Sequence, residues 1–247
     1  MANPASGISY FMRGFGLITK KGVKRFVLIP MLINIVLFLL ALTFAFRQIG
    51  ELTDWIMSAL PEWLSFLQYI LLPLFYLATV IIIYYIVSML GNILASPFNA
   101  YLAKAVQSHL TGSPPPDSLL PMLAEIKNAI FSEIKKWLYY LMWALLLVIL
   151  SFIPGINFLA PFAWFLFGAW MYSIEYSDYP MGQYGLTFPE IRKQVSTKRG
   201  LSLGFGSAVT VTTMIPLVNF IIIPVAVAGA TAMQVEQFPL KLKAPTE

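Results

Sequence analysis

Four cations surround one glycine in "TKKGVKRF", residues 19–26, where Lys20, Lys21, Lys24 and Arg25 flank Gly22 and Val23. Glycine permits a sharp turn and close approach of the backbone to a ligand. A long apolar run follows, and a helix starting there would expose N–H groups that lack intrahelical partners, at the end where its dipole favours negative charge. With the Lys24 and Arg25 side chains added, the arrangement suits a tetrahedral oxyanion. The commoner role of such a cluster is a membrane anchor, because juxtamembrane Lys and Arg set topology and bind lipid phosphate. Both readings stand on the residues alone.

Two further groups carry charge at the edge of apolar segments. Glu133, Lys135 and Lys136 precede an uncharged run. Lysines at such a boundary usually snorkel to the headgroups, whereas turned inward Glu133 and Lys136, at i,i+3, could pair beside a water-filled path. In "EYSDYP", Glu175 and Asp178 alternate with tyrosines, for which a place at the membrane interface is the plainer reading. Asn99, within "ASPFNAYLA", is a further candidate for a polar path or network. No catalytic constellation accompanies them: G-x-x-x-x-G-K-[ST], H-E-x-x-H and G-x-S-x-G are all missing. Cysteine is absent, which excludes disulfides and thiolate metal sites. The single histidine, His109, lies in a polar, basic stretch and reads as a surface residue. Neither an enzyme, a cofactor nor a metal is expected.

The elements that position these residues are helices in a membrane. Of the 247 residues 59% are apolar and 11% are charged, less than half of the roughly 25% charge that coats a soluble domain. The mean hydropathy is +0.77, and the reading is an all-α integral membrane protein forming one membrane domain over 1–247. The net charge of +5 flanks apolar segments, pointing to lipid headgroups or an anionic solute and not to nucleic acid. Residues 1–25 form a basic N-terminal segment, and the apolar stretch after it is too long for the h-region of a cleaved signal peptide. Residues 26–46 carry no charge and make roughly 32 Å of helix, enough to cross the hydrocarbon core. Residues 64–94, also uncharged, would reach about 46 Å and must tilt, kink or project beyond the bilayer. A short connection with Arg47, Glu51, Asp54 and Glu62 joins the two.

Amphipathic helices follow over 96–136. Ser96-Pro97 reads as an N-cap with proline at the first helical position, and Phe98, Leu102, Val106 and Leu110 recur at four-residue spacing. A second stripe runs through Leu119, Leu123, Ile126, Ile130 and Ile134. Two apolar hairpins, 137–174 and 202–235, flank a polar connecting helix at 187–200, and 236–247 is a tail. Their turns, "SFIPGINFLAP" and "TMIPLVNFIIIP", share Ile-Pro-x-x-Asn-Phe and a later proline. The entering arms, about 24 and 20 Å long, fall short of a 30 Å core, so the hairpins either penetrate partway and return or span with tilt and thinning. Fifteen of the sixteen Lys and Arg residues lie outside the loop between the first two helices. The positive-inside rule therefore puts both termini in the cytoplasm and that loop outside.

Five stretches in order, "GVKRFVLIPMLIN", "ASPFNAYLA", "FIPGINFLAPFAWFLFGAW", "DYP" and "MIPLVNFIIIPVAVAGATAM", resemble the CysZ family of bacterial sulfate transporters along nearly the whole chain. The resemblance implies sulfate uptake across the inner membrane for assimilation into cysteine, by a multi-pass homo-oligomer (a dimer or larger) with long spanning helices and hemi-penetrating hairpins. It also implies a sulfate site at the turn before the first long helix, carried here by Gly22, Val23, Lys24 and Arg25. Where the family pattern is Pro-Gly-hydrophobic-Arg-Arg, this chain has Lys21 and Lys24 in place of the proline and first arginine. Lysine keeps the charge but lacks the bidentate fork. The expected partners are sulfate and membrane lipids, and the expected route is channel-like and not driven by ATP. The alternatives are a non-transporting membrane scaffold and a lipid-headgroup-binding protein.

Overall fold

The computed structural model describes residues 3–58, 61, 66–113, 122–215 and 219–240, and every regular element among them is helical. In chain order these are α1 (Pro4–Leu17), α2 (Arg25–Ser58), α3 (Gln68–Thr111), α4 (Met122–Phe152), α5 (Ala160–Gly182), α6 (Phe188–Ser196), α7 (Arg199–Thr213) and α8 (Asn219–Gln237), with a 3-10 turn at Asn157–Leu159 before α5. The chain divides into two compact units.

One unit comprises residues 28–98, most of the two longest helices. Its surface is apolar: Leu32, Leu40, Phe44, Tyr69, Ile70 and Tyr85 are all exposed. Such faces are stable only against lipid or another protein. By length and composition Arg25–Glu51 and Tyr69–Val87 can each cross a membrane, and so can Ser132–Phe152.

The helices run further than the sequence reading drew them. α2 has 34 residues, about 51 Å, and continues through Arg47 and Glu51, so the expected connection begins only after Ser58. α3 has 44 residues and passes through Ser96-Pro97, where a fresh helix start was expected. An interior proline costs roughly 3 kcal/mol. Packing beyond it supplies an opposing gain, since Leu102 and Val106 of the expected stripe are completely buried. α4 likewise joins the end of the second amphipathic stretch to the entering arm of the first hairpin without a break. The "PPPD" part of the "TGSPPPD" connection, the residues after it up to 121 and the tail from 241 lie outside the described residues.

The other unit holds residues up to Val27 and from Asn99 onward. Its core is α8, whose Ile222, Val225, Ala226, Val227, Ala228, Ala230, Ala232 and Met233 are all fully buried. α1, within the segment read as basic and polar, packs on α7 and α8. Its start was readable: Asn3 Oδ1 accepts the Ser6 N–H at 2.9 Å and Pro4 follows at the first helical position. The approach is close because small residues face each other. A Cβ on Gly204 would sit 2.0 Å from the Pro4 carbonyl oxygen, and one on Gly14 would sit 2.1 Å from that of Val225.

The two hairpins differ in their arms and not beside their turns, where Met214 and Ile215 of the second are exposed as well. Around the first turn Phe152, Phe158 and Phe162 are exposed and Gly155 turns the chain at φ +87°. The arms of the second, α7 and α8, build the core, and its turn at 216–218 lies outside the described residues. The segment read as one polar connecting helix is α6, followed by a break at Lys198 and the start of α7. At the head of α6, Glu190 accepts hydrogen bonds from the Thr187 N–H and hydroxyl, both at 2.8 Å.

Candidate functional site

The basic turn joins α1 to α2. Gly22 has φ +89°, a left-handed conformation that side chains disfavour, and a Cβ there would meet nothing within 4 Å. The glycine is therefore required by the backbone conformation and not by crowding. Val23 turns inward and is 1% exposed, pinning the turn to the core, while Lys24 and Arg25 remain exposed. The turn's own hydrogen bonds use some of the amides expected to be spare. Val23 N–H and Lys24 N–H both donate to the Lys20 carbonyl at 3.1 Å. Among the described residues no backbone acceptor takes the N–H of Gly22 or Arg25. The turn thus offers two cationic side chains and a small number of open amides on a surface anchored from beneath.

The second arrangement centres on Lys136, whose side chain is 8% exposed. Its Nζ lies 2.8 Å from Glu133, 3.2 Å from Glu175 and 3.4 Å from Asp178. Four sequence candidates, three of them carboxylates, meet at one ammonium. Tyr140 donates its hydroxyl to Glu175 at 3.4 Å. Asn99 is buried and lies close enough to Tyr179, next to Asp178 in sequence, to offset part of the upward pull of burial on the Tyr179 hydroxyl. It is not among the partners of Lys136.

Packing explains the convergence. Ser132 on α4 accepts the Phe188 N–H at 2.7 Å, tying α6 to α4 one turn before Lys136. Phe188 packs against Tyr139 and Tyr140, and Trp170 of α5 donates to the Tyr139 hydroxyl at 3.1 Å. These contacts hold α4 beside the end of α5, where Glu175 and Asp178 occur one turn apart. Loss of solvation pushes the Asp178 carboxyl up to about 6, against the pull of Lys136 and with repulsion from Glu175 and Glu133. The shelter of the cluster outweighs the third of its side-chain surface that stays open. With one ammonium against three carboxylates, the cluster favours cations and protons over a free oxyanion.

Sequence reasoning passed over a neighbouring set of polar contacts. Gln107 Nε2 donates to the Tyr184 hydroxyl, and Gln183 Nε2 donates to the Ala100 carbonyl at 3.2 Å. Buried glutamines in a hydrophobic chain were the available signal. No hydrogen bond or ion pair among the described residues links the basic turn to the lysine cluster, and no group of acidic, histidine or cysteine side chains there could hold a metal.

Residues 10–224 match the family profile described as sulfate transporter CysZ/etoposide-induced protein 2.4. Two curated relatives, each named sulfate transporter CysZ, come from Pseudomonas aeruginosa strains LESB58 and PAO1. Each is 40% identical over 234 residues, covering 94% of this chain and 95% of the relative.

Proposed function

The chain belongs to the sulfate transporter CysZ/etoposide-induced protein 2.4 family, and from that premise we propose that it carries sulfate across the bacterial inner membrane. The observation that carries the reading is a similarity to proteins named for sulfate transport that runs nearly end to end. In the proposal sulfate is held at Gly22, Val23, Lys24 and Arg25, and the flux supplies assimilation into cysteine. The route is channel-like and not driven by ATP, as the lack of a phosphate-binding loop in the sequence supports. It runs within a homo-oligomer with half-inserted hairpins, and Asn99, Glu133, Lys136, Glu175 and Asp178 serve as a polar network that braces the helices and not as the path of the anion.

The charge count gives cytoplasmic termini. This orientation would place the basic turn on the inner face, where it acts as an exit or regulatory site. In copies inserted the other way it would act as a capture site.

One observation favours a second reading, a lipid-headgroup anchor. Lys24 and Arg25 are exposed where a 27-residue candidate span begins. Sulfate titration into the detergent-purified protein separates the two readings. The site predicts saturable binding that falls at least about tenfold in the Lys24→Ala, Arg25→Ala double variant. Binding unchanged in that variant would leave the cluster as an anchor only.

A further inference from the structure

Arg25 does not project freely from the basic turn. Its Cζ lies over the Phe26 ring, 4.7 Å from the centroid, within cation–π range. Phe26 in turn stacks on Tyr101 of α3, with ring centroids 6.1 Å apart and planes 19° from parallel. Phe26 is half-buried and packs against the same core that takes Val23, whereas Tyr101 is exposed. Among the described residues no carboxylate lies within ion-pair reach of Arg25.

This combination has a consequence for ligand binding. An arginine satisfied by a carboxylate has its donors occupied. An arginine held over an aromatic ring is steadied by the ring's quadrupole without committing its N–H donors to a carboxylate. Its long side chain has also surrendered rotamer freedom that an unsupported arginine would lose only on binding its ligand.

We propose that Phe26 and Tyr101 are positioning residues, a two-ring stack that pre-orients the Arg25 guanidinium for a tetrahedral oxyanion at the Gly22 turn. The inference rests on the reading of Gly22 to Arg25 as the sulfate site and adds to it what aims the arginine. It gives α3 a part in the site through a side chain that never touches the anion.

Sulfate titration calorimetry on the detergent-purified protein tests the role by a double-mutant cycle. Phe26→Leu weakens sulfate binding about threefold, as expected for loss of an exposed cation–π contact. Phe26→Trp, which keeps a ring, binds within about twofold of the unaltered protein. Tyr101→Leu weakens binding less than Phe26→Leu, and Tyr101→Phe leaves it unchanged. In an Arg25→Ala background, Phe26→Leu has no further effect, because the ring acts only through the arginine. Equal losses from Phe26→Leu with and without Arg25 would show a merely structural ring and overturn the proposal. A sulfate affinity lowered by Arg25→Ala but untouched by Phe26→Leu would also overturn it while leaving the site in place. Affinity unchanged by Arg25→Ala would remove the site itself and the positioning role with it.

Discussion

Gly22 and Lys136 show two different ways in which a single residue can matter. Gly22→Ala meets no neighbour, so its cost is the backbone strain of about 1–2 kcal/mol for a side chain in the left-handed region. The expected outcome is a modest fall in thermal stability in detergent with a larger fall in sulfate affinity, read by melting and titration on the same preparation. Lys136→Met instead strands three carboxylates beside one another. Removing one partner of a buried pair costs about 3–5 kcal/mol. Here the expectation is about 2–3 kcal/mol, because all three acids keep solvent access. Glu133→Gln, at a half-exposed position, should cost under about 1 kcal/mol in the same melting experiment. The pairing of Glu133 with Lys136 was legible in the sequence, since i,i+3 spacing on a helix brings side chains together. The approach of Glu175 and Asp178 was not legible. It depends on α4, α5 and α6 packing through Ser132, Phe188 and Trp170, contacts that local spacing does not reveal.

Helix α1 is the element whose role changed most between sequence and structure. Residues 1–25 attract attention by their charge, yet Gly7, Phe11 and Gly14 form the face that docks on α7 and α8. Gly204→Ala would drive a methyl group to 2.0 Å from the Pro4 carbonyl oxygen, and the helix must shift or undock. A loss of about 3 kcal/mol is expected, at the upper end for overpacking. Gly16→Ala, with nothing within 4 Å, should stabilise the helix by about 0.5–1 kcal/mol. Proteolysis of the N-terminal segment alongside melting would distinguish undocking from general unfolding.

The far end of the same contact is sensitive to acid. Glu236 accepts hydrogen bonds from Tyr10 and Arg13, and these outweigh burial, which pushes the other way, so its carboxyl titrates below the ordinary value of 4.5. An acid depressed in the folded state stabilises fully above its unfolded pKa, and that contribution is lost as pH falls through the folded one. Melting should therefore show an acid-side loss below about pH 4.5 that is diminished in Glu236→Gln. The long helices were legible as apolar runs. Their ends were not, because Ser96-Pro97 looks like a helix start whether or not the helix already runs through it.

At the scale of the whole molecule, composition alone identified the solvent. A chain with 11% charged residues cannot face water on all sides, and the exposed apolar faces of α2, α3 and α4 agree with that. The division of labour between the hairpins could not be read in the same way. Both carry Ile-Pro-x-x-Asn-Phe and both are exposed beside the turn, yet the entering arm of the first, on α4, is largely exposed while α7 and α8 form the core of their unit. The difference comes from the alanines and Gly229 of α8, which allow α1 and α5 to close over it, a tertiary effect with no local signature. Family membership was legible, carried by five ordered motifs and not by any single residue. The central claim is transport by this chain alone, and the most direct measurement is uptake of labelled sulfate by liposomes containing only this protein. The account predicts saturable uptake without ATP, reduced at least about tenfold by the Lys24→Ala, Arg25→Ala double variant at equal reconstitution. Uptake no greater than that of empty liposomes, with incorporation verified, would contradict it.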